Sequence, residues 1–529
     1  MMMEYFNKLH DRLGTTGLVV TSATTLVLSA LCTIHLNLSI RREGEPSVIW
    51  SWLPVLGGAL ELGSRPLEYL NECAKQGEGI FGMVIAGNRM FIITDPHSSG
   101  IVLRPTKALS WVEFHNTVLI NFFGSKPIPG TLEHPHDDNL LRKWYLHYLM
   151  GDASLHDMTI RMQTQLLEDI QASSPTGTNT TSLYTFLSQL VFRASVASLY
   201  DSDAARDPEL YDAFMAFDEH LPLAAAGYKV DYASKPRNAR EILHKACRKY
   251  HNPQTSSEFM IKRHDYFETF DNGVNTDAFQ LAMLWASVGN TMPATFWVVY
   301  HLLRDPTKLE KFLDEVRTCK EKLGETETFI SQELLDSLVY VDACITETLR
   351  LCSGSLIMRM VQCPTEVTMD SGKTYKFRKG DRVGLCPPLW HHDGEIYPDP
   401  ETFSPERWLV GDTPEEVARS AIGRVPLSKA GKVMDNGAGY NPFGGGAIHC
   451  PGRRFTRNEI KALAVYLLIR FKFAFSGGSQ SSSSAAEVSD GQQSAVIPPM
   501  PPHPGFDGAR AGLGIFPPKT DVPVTVSLV

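Results

Sequence analysis

The chain has 529 residues, 43% hydrophobic and 21% charged, which is ordinary globular usage and excludes a wholly disordered chain, a collagen or a coiled coil. Fifty basic against 59 acidic residues leave a net charge of −9, so no basic footprint asks for a nucleic-acid partner. Nine cysteines are too few and too scattered for a disulfide scaffold, and the odd count leaves at least one thiol unpaired.

From Leu13 to Ile40 there is no Asp, Glu, Lys or Arg. A membrane-spanning helix needs about 20 mainly apolar residues, so the length suffices, although several Thr and Ser dilute the run. A retained anchor, a cleaved signal peptide and a buried core helix compete here. The length of the run and the lack of a persuasive cleavage site favour the anchor. Lys8 and Arg12 before it and Arg41 and Arg42 after it leave the positive-inside rule tied. No other stretch is long and charge-free enough to span a bilayer. Residues 1–45 therefore read as a single-pass anchor with its flank, and residues 46–529 as one catalytic body. Pro46 and Pro54, with Gly57 and Gly58, read as a stiff, turn-rich link.

The body reads as mainly α-helical with small β-sheets. Short β-type stretches fall at 81–85, 90–93, 366–369 and 522–526. Residues 277–301 read as one long helix, apolar nearly all round and so central, with Pro293 loosening the turn before it. A second helix, from about Leu338 to Leu351, places Leu338, Val341, Ile345 and Leu349 on one face. Residues 476–497, rich in Ser, Gly and Gln, read as a disordered insertion. His391 and His392 lack Cys or His partners at zinc spacing and read as a solvated loop. Asn179-Thr180-Thr181 fits the glycosylation pattern, unused if the body faces the cytosol.

The strongest signal runs from Pro442 to Arg454: Pro442-Phe443-Gly444-Gly445-Gly446-Ala447-Ile448-His449-Cys450-Pro451-Gly452-Arg453-Arg454. Three consecutive glycines let the backbone approach a flat, bulky group. Cys450 follows, and Pro451 is a favoured first residue of a helix. Cys450 is thus expected at a helix N-terminus, where a thiolate is stabilised. A thiolate against a flat surface suits a haem iron with a sulfur axial ligand. Two further motifs carry charge: Glu347-Thr348-Leu349-Arg350, with acid and guanidinium at i and i+3 on one helix face, and Phe403-Ser404-Pro405-Glu406-Arg407-Trp408.

These segments resemble the cytochrome P450 family. Its haem-loop pattern, Phe-x-x-Gly-x-Arg-x-Cys-x-Gly, is met by Phe443, Gly446, Cys450 and Gly452, and Ile448 stands where Arg is usual. The resemblance implies a cytochrome P450 fold and haem b, with Cys450 as axial ligand of the iron. It implies a buried network of Glu347, Arg350 and Arg407 beneath the loop. It places a haem-propionate donor at Arg359 and a C-helix haem contact at Trp144, though the usual Trp-x-x-x-Arg spacing is absent. The family's acid–alcohol pair on the long helix falls on Gly289 and Asn290, so the usual proton relay is missing. Asn290 is the catalytic candidate, and Thr291 is a weaker substitute because it points in another helical direction. The wording around Trp285 and Asn290 is similar to the sterol 7α-hydroxylase, sterol 12α-hydroxylase and prostacyclin synthase branch. The tail 510–515 before Pro517 resembles filamentous-fungal members.

What the resemblance implies is a membrane-anchored haem-thiolate monooxygenase. Its partners are O2, a lipophilic small molecule (a sterol, terpenoid or other specialised metabolite) and an NADPH-cytochrome P450 reductase, since no flavin- or NADP-binding domain lies in this chain. The expected location is the endoplasmic-reticulum membrane with the body in the cytosol. The same branch contains an isomerase. A P450-type isomerase or dehydratase working on a lipid peroxide without reductase therefore stays open, as does a non-enzymatic haem sensor or carrier.

Overall fold

The computed structural model describes residues 2–529 apart from 105, 127–139, 173–178, 226–227, 270–275, 325–328, 410, 412–426, 435–438, 447–448 and 477–500. The chain forms two compact units: residues 1–111 with 358–385, and residues 112–357 with 386–529.

The first unit is built on a five-stranded sheet. Its order is Ile80–Ile85, Asn88–Ile93, Arg382–Leu385, Ile357–Val361 and Leu109–Ser110. The first two strands form a hairpin with Ile80 opposite Ile93. Ala86 and Gly87 turn it with φ of 46° and 77°, the left-handed pair that a two-residue hairpin loop requires. The Asn88 amide donates to the Ala86 carbonyl at 2.9 Å and braces the strained position. The expected link after the anchor is instead stitched to this sheet. Gly82 donates to Ser47 and Ile49 donates to Gly82, both at 2.7 Å, because an extended chain beside a strand finds ready hydrogen-bond partners. Glu45 accepts from Arg89 at 2.9 Å and from Arg378 at 2.5 and 2.7 Å. Burial pushes its carboxyl up, but these bonds and the Arg42 N–H outweigh it and hold the group down at about 2. The N-terminal helix spans Met2–Ser39. Its Val20–Ser39 part has mean hydropathy 1.3, is almost wholly exposed and is long enough to cross a membrane.

The second unit is mainly helical. Local signals define its helices well. Helix Pro306–Leu323 has Asp305 as N-cap, proline at its first position and Gly324 at φ 66° after its end, which are start and stop signals of known physical origin. The expected helix near 338–351 is Val339–Cys352, buried through most of its length. A three-stranded sheet joins Phe471–Phe475, Pro523–Leu528 and Asn179–Ser182, so the glycosylation-like triplet lies in a strand. His391 ends the short helix Pro387–His391 and is fully buried. The expected solvated loop is thus wrong there, because the run Pro387-Pro388-Leu389-Trp390 carries His391 into the core. Of the expected insertion, residues 477–497 lie outside the described residues, and the Ser476 N–H bonds the Pro523 carbonyl at 2.9 Å.

The expected long helix is two helices, Thr276–Val288 and Thr291–Arg304. Pro293 has no N–H to offer the Gly289 carbonyl four residues back, and the break falls at Gly289 and Asn290. A Cβ on Gly289 would meet the Trp285 carbonyl at 3.0 Å and its ring at 3.2 Å, so glycine is needed for the indole to lie there.

Candidate active site

The loop before helix Arg453–Arg470 presents Cys450. Gly444 and Gly446 turn it with φ of 72° and 63°, values glycine adopts without strain. The Cys450 N–H closes the loop on the Phe443 carbonyl at 3.0 Å. Cys450 is a free, half-buried thiol. The helix does not start at Pro451 as expected. Gly452 is its N-cap and Arg453 its first residue, because residues 450–452 are taken up in closing the loop. The thiol is therefore not lowered by the helix end. Burial pushes it up, and the Gly452 N–H and the Arg453 charge oppose this only in part. The donor set still fits a haem iron. A free sulfur receives a backbone N–H from Gly452, a residue with no side chain to crowd it. Metal binding itself deprotonates a coordinating thiol. Ile448 lies outside the described residues.

Glu347 and its partners form a buried, densely bonded cluster. Glu347 and Arg350 are both 0% exposed. Arg350 Nε and Nη2 donate to the two carboxylate oxygens at 2.9 and 2.8 Å. Arg407 Nε adds a bond at 2.9 Å and the Ser404 N–H one at 3.1 Å. The structure adds a member that the sequence reading missed, the Trp408 indole, which donates to Glu347 at 2.9 Å. Arg350 also reaches the His391 carbonyl and lies 4.9 Å from the centre of the Tyr397 ring. Every donor of this kind is charge-assisted or geometrically fixed, which is the condition under which a buried ion network is tolerated.

The broken helix offers a surface inside an otherwise buried element. Ala286 is exposed, with Ala282, Trp285 and Asn290 half-buried. Positions 282, 286 and 290 are four apart and form one stripe. Small side chains along it leave room for a bulky apolar neighbour. The Asn290 Oδ1 accepts the Ile515 N–H at 3.0 Å, and its amide NH2 is the side that can donate. Thr291 faces elsewhere. Its hydroxyl bonds the Ser287 carbonyl at 2.7 Å and Glu459 at 3.2 Å. Glu459 was not singled out in the sequence. It is buried on helix Arg453–Arg470, accepts a second hydroxyl from Ser195 at 2.6 Å, and burial raises its carboxyl to about 8. A lone acid just before the run Ile460–Leu468, apolar except for Lys461, was its only sequence signal.

Two further residues, Arg359 and Trp144, carry expected haem contacts. Arg359 is 3% exposed and donates to the Met358 carbonyl at 2.9 Å. No carboxylate pairs with it among the described residues, and burial lowers it to about 10. Trp144 lies on helix Leu140–Met150, as expected, and packs edge-on against Tyr266 at 5.5 Å.

The comparisons with known proteins agree with this arrangement. Residues 259–499 match the family model described as Cytochrome P450. The chain is 30% identical over 524 residues to pig "Cytochrome P450 7A1", covering 94% of this chain and 96% of that one. It is 27% identical to human "Prostacyclin synthase", covering 92% and 94%. Among solved structures, "Retinoic acid bound cyanobacterial CYP120A1" matches with TM-score 0.64 and 19% identity over 92% of this chain and all of that one, a likeness of fold. Taken with the thiol-bearing glycine loop and the Glu347 network, end-to-end similarity at this level places the chain in the cytochrome P450 family, related to the branch that holds these two relatives.

Proposed function

We propose that the protein is a membrane-anchored haem-thiolate monooxygenase that inserts one oxygen atom of O2 into a lipophilic small molecule of sterol or terpenoid type. Two electrons come from NADPH through a separate reductase. Residues 1–45 are the anchor and its flank, in the endoplasmic-reticulum membrane, and residues 46–529 the cytosolic catalytic body. The observation that carries this reading is the half-buried free thiol of Cys450 behind its glycine turns, with the Gly452 N–H on the sulfur.

When bound, haem b supplies the oxygen and redox chemistry. The chain's residues do the rest. Cys450 ligates the iron. Phe443, Gly446 and Gly452 shape the loop around it, and Glu347, Arg350 and Arg407 hold rigid the segments that flank it. Arg359 and Trp144 keep the haem contacts that family resemblance implies. The Ala282–Ala286 stripe and Trp285 offer an apolar wall that excludes water. An asparagine amide donates but does not ionise, so Asn290 delivers protons only through a water it positions.

A second reading has support of its own. Gly289 and Asn290 replace the acid–alcohol pair, Thr291 is turned to Glu459, and a relative in the same group is named a synthase. A lipid-peroxide isomerase needs no reductase. The reduced carbon-monoxide complex decides the ligand: wild type is expected to show the red-shifted thiolate band and Cys450→Ala to lose it. NADPH consumption with reductase and a sterol or terpenoid then supports the monooxygenase. Turnover of a lipid hydroperoxide without reductase, and no NADPH use, overturns it in favour of the isomerase.

A further inference from the structure

Pro293 leaves the Gly289 carbonyl without its helical donor, and the chain supplies another from 221 residues away. Arg510 Nη2 donates to that carbonyl at 3.3 Å. Its Nη1 donates to Asp218 Oδ1 at 2.6 Å. The same oxygen takes the Trp285 indole N–H at 2.7 Å. Arg510 is 4% exposed and Asp218 13%. Four separate segments thus meet at the helix break: the end of helix Pro208–Asp218, the turn Gly508–Arg510, the end of helix Thr276–Val288, and the start of helix Thr291–Arg304, whose Asn290 holds Ile515.

Each part of this arrangement runs against local preference. An acid at a helix C-terminus is disfavoured by the helix dipole, so Asp218 needs the Arg510 charge to stand there. A buried guanidinium costs several kcal/mol unless paired. Gly514 has φ 129°, and a Cβ on it would lie 2.0 Å from Asn290 Oδ1, so the tail is shaped to let the asparagine in. Trp285, tethered through its N–H, packs near Phe122 and Phe123 at 6.4 and 6.0 Å. Such a set of individually unfavourable choices is expected where a site is being held in place.

We propose that Asp218 and Arg510 are positioning residues of the distal pocket. They lock Trp285 and, through the Gly289 carbonyl and the 510–515 turn, Asn290. This rests on the reading of the broken helix as the wall facing the haem. Arg510 does not touch the reacting atoms; it sets the two side chains that shape what binds there.

The test uses the full-length holoenzyme and 4-phenylimidazole, read by the shift of the haem absorption band. Arg510→Gln is expected to keep the thiolate carbon-monoxide band and to weaken 4-phenylimidazole binding at least about tenfold, the size of one lost bond to a charged group. Pro293→Ala returns an N–H to the Gly289 carbonyl. In that background Arg510→Gln is expected to cost at least about threefold less than in the wild-type chain, since only its hold on Asp218 and Trp285 is then lost, a coupling that a merely structural ion pair would not produce. Arg510→Lys, which keeps the charge beside Asp218 but has one donor group, is expected to fall between wild type and Arg510→Gln. It serves if Arg510→Gln fails to retain haem. Equal losses in both backgrounds, or unchanged binding in Arg510→Gln and Arg510→Lys, overturn the proposal. A wild-type chain without the thiolate band overturns the haem reading itself, and this proposal with it.

Discussion

Glu347 and Glu459 are both buried carboxyls on neighbouring helices of one unit, yet their surroundings differ in kind. Glu347 receives five donors, three from guanidinium groups, one from an indole and one from a backbone N–H. Glu459 receives two hydroxyls, and among the described residues no cation pairs with it. Burial pushes Glu459 up to about 8, so at neutral pH it holds a proton. The lesson is that burial alone does not assign a charge. The number and charge of the donors do, since desolvation penalises the ionised form and only charged donors repay it.

The contrast can be broken at four points. The largest effect is expected at Glu347→Ala, which strands Arg350 in the core. Breaking such a pair costs about 3–5 kcal/mol, and the protein should fail to retain haem. Wild-type haem content would show that the network is dispensable. Glu459→Gln acts through pH. The unfolded carboxyl releases its proton near 4.5 and the folded one near 8, so the unfolded state binds fewer protons in between and stability falls as pH rises through that window. The loss is on the order of 4 kcal/mol by pH 8. Glu459→Gln should match wild type at pH 5 and melt higher at pH 8; parallel melting curves for the two proteins from pH 5 to 8 would show that Glu459 does not titrate there.

Arg407 is 14% exposed, at the wet edge of the network. Arg407→Ala leaves Glu347 its other four donors and should cost only about 1–3 kcal/mol, read as a lower denaturant midpoint with haem kept. A loss as large as that of Glu347→Ala would mean that Arg407, not Arg350, sets the carboxylate. The smallest effect belongs to Asp314, paired with Arg317 at 2.8 Å on an exposed helix face. Asp314→Ala should shift stability by less than about 0.5 kcal/mol. A larger change would mean that exposed pairs matter here as buried ones do.

Much of this was legible in the sequence. Helix Val339–Cys352 was readable because its periodicity is a local signal, and the two strands within 80–93, though not their pairing, because short apolar runs are local too. Glu347, Arg350 and Arg407 were found because two short motifs carry them. The break at Gly289 was only half legible: Pro293 announced a disturbed turn, but not that two helices would result. Trp408 was passed over although it adjoins Arg407, since an indole N–H has no sequence signature as a carboxylate partner. The start of the helix after Cys450 was misplaced by two residues, because Pro451 was read as a first helical residue when the loop closure needed it.

The sequence by itself determined the thiol, the glycine turns before it, the charged motifs and the apolar N-terminal helix. These depend on residues within a few positions of one another. Only the tertiary structure decided that Asp218 meets Arg510 across 292 residues and that Ser195 meets Glu459 across 264. Such partners are chosen by which helices pack together. A side chain's neighbours in the core, unlike its place on a helix face, are set by the packing of the whole unit.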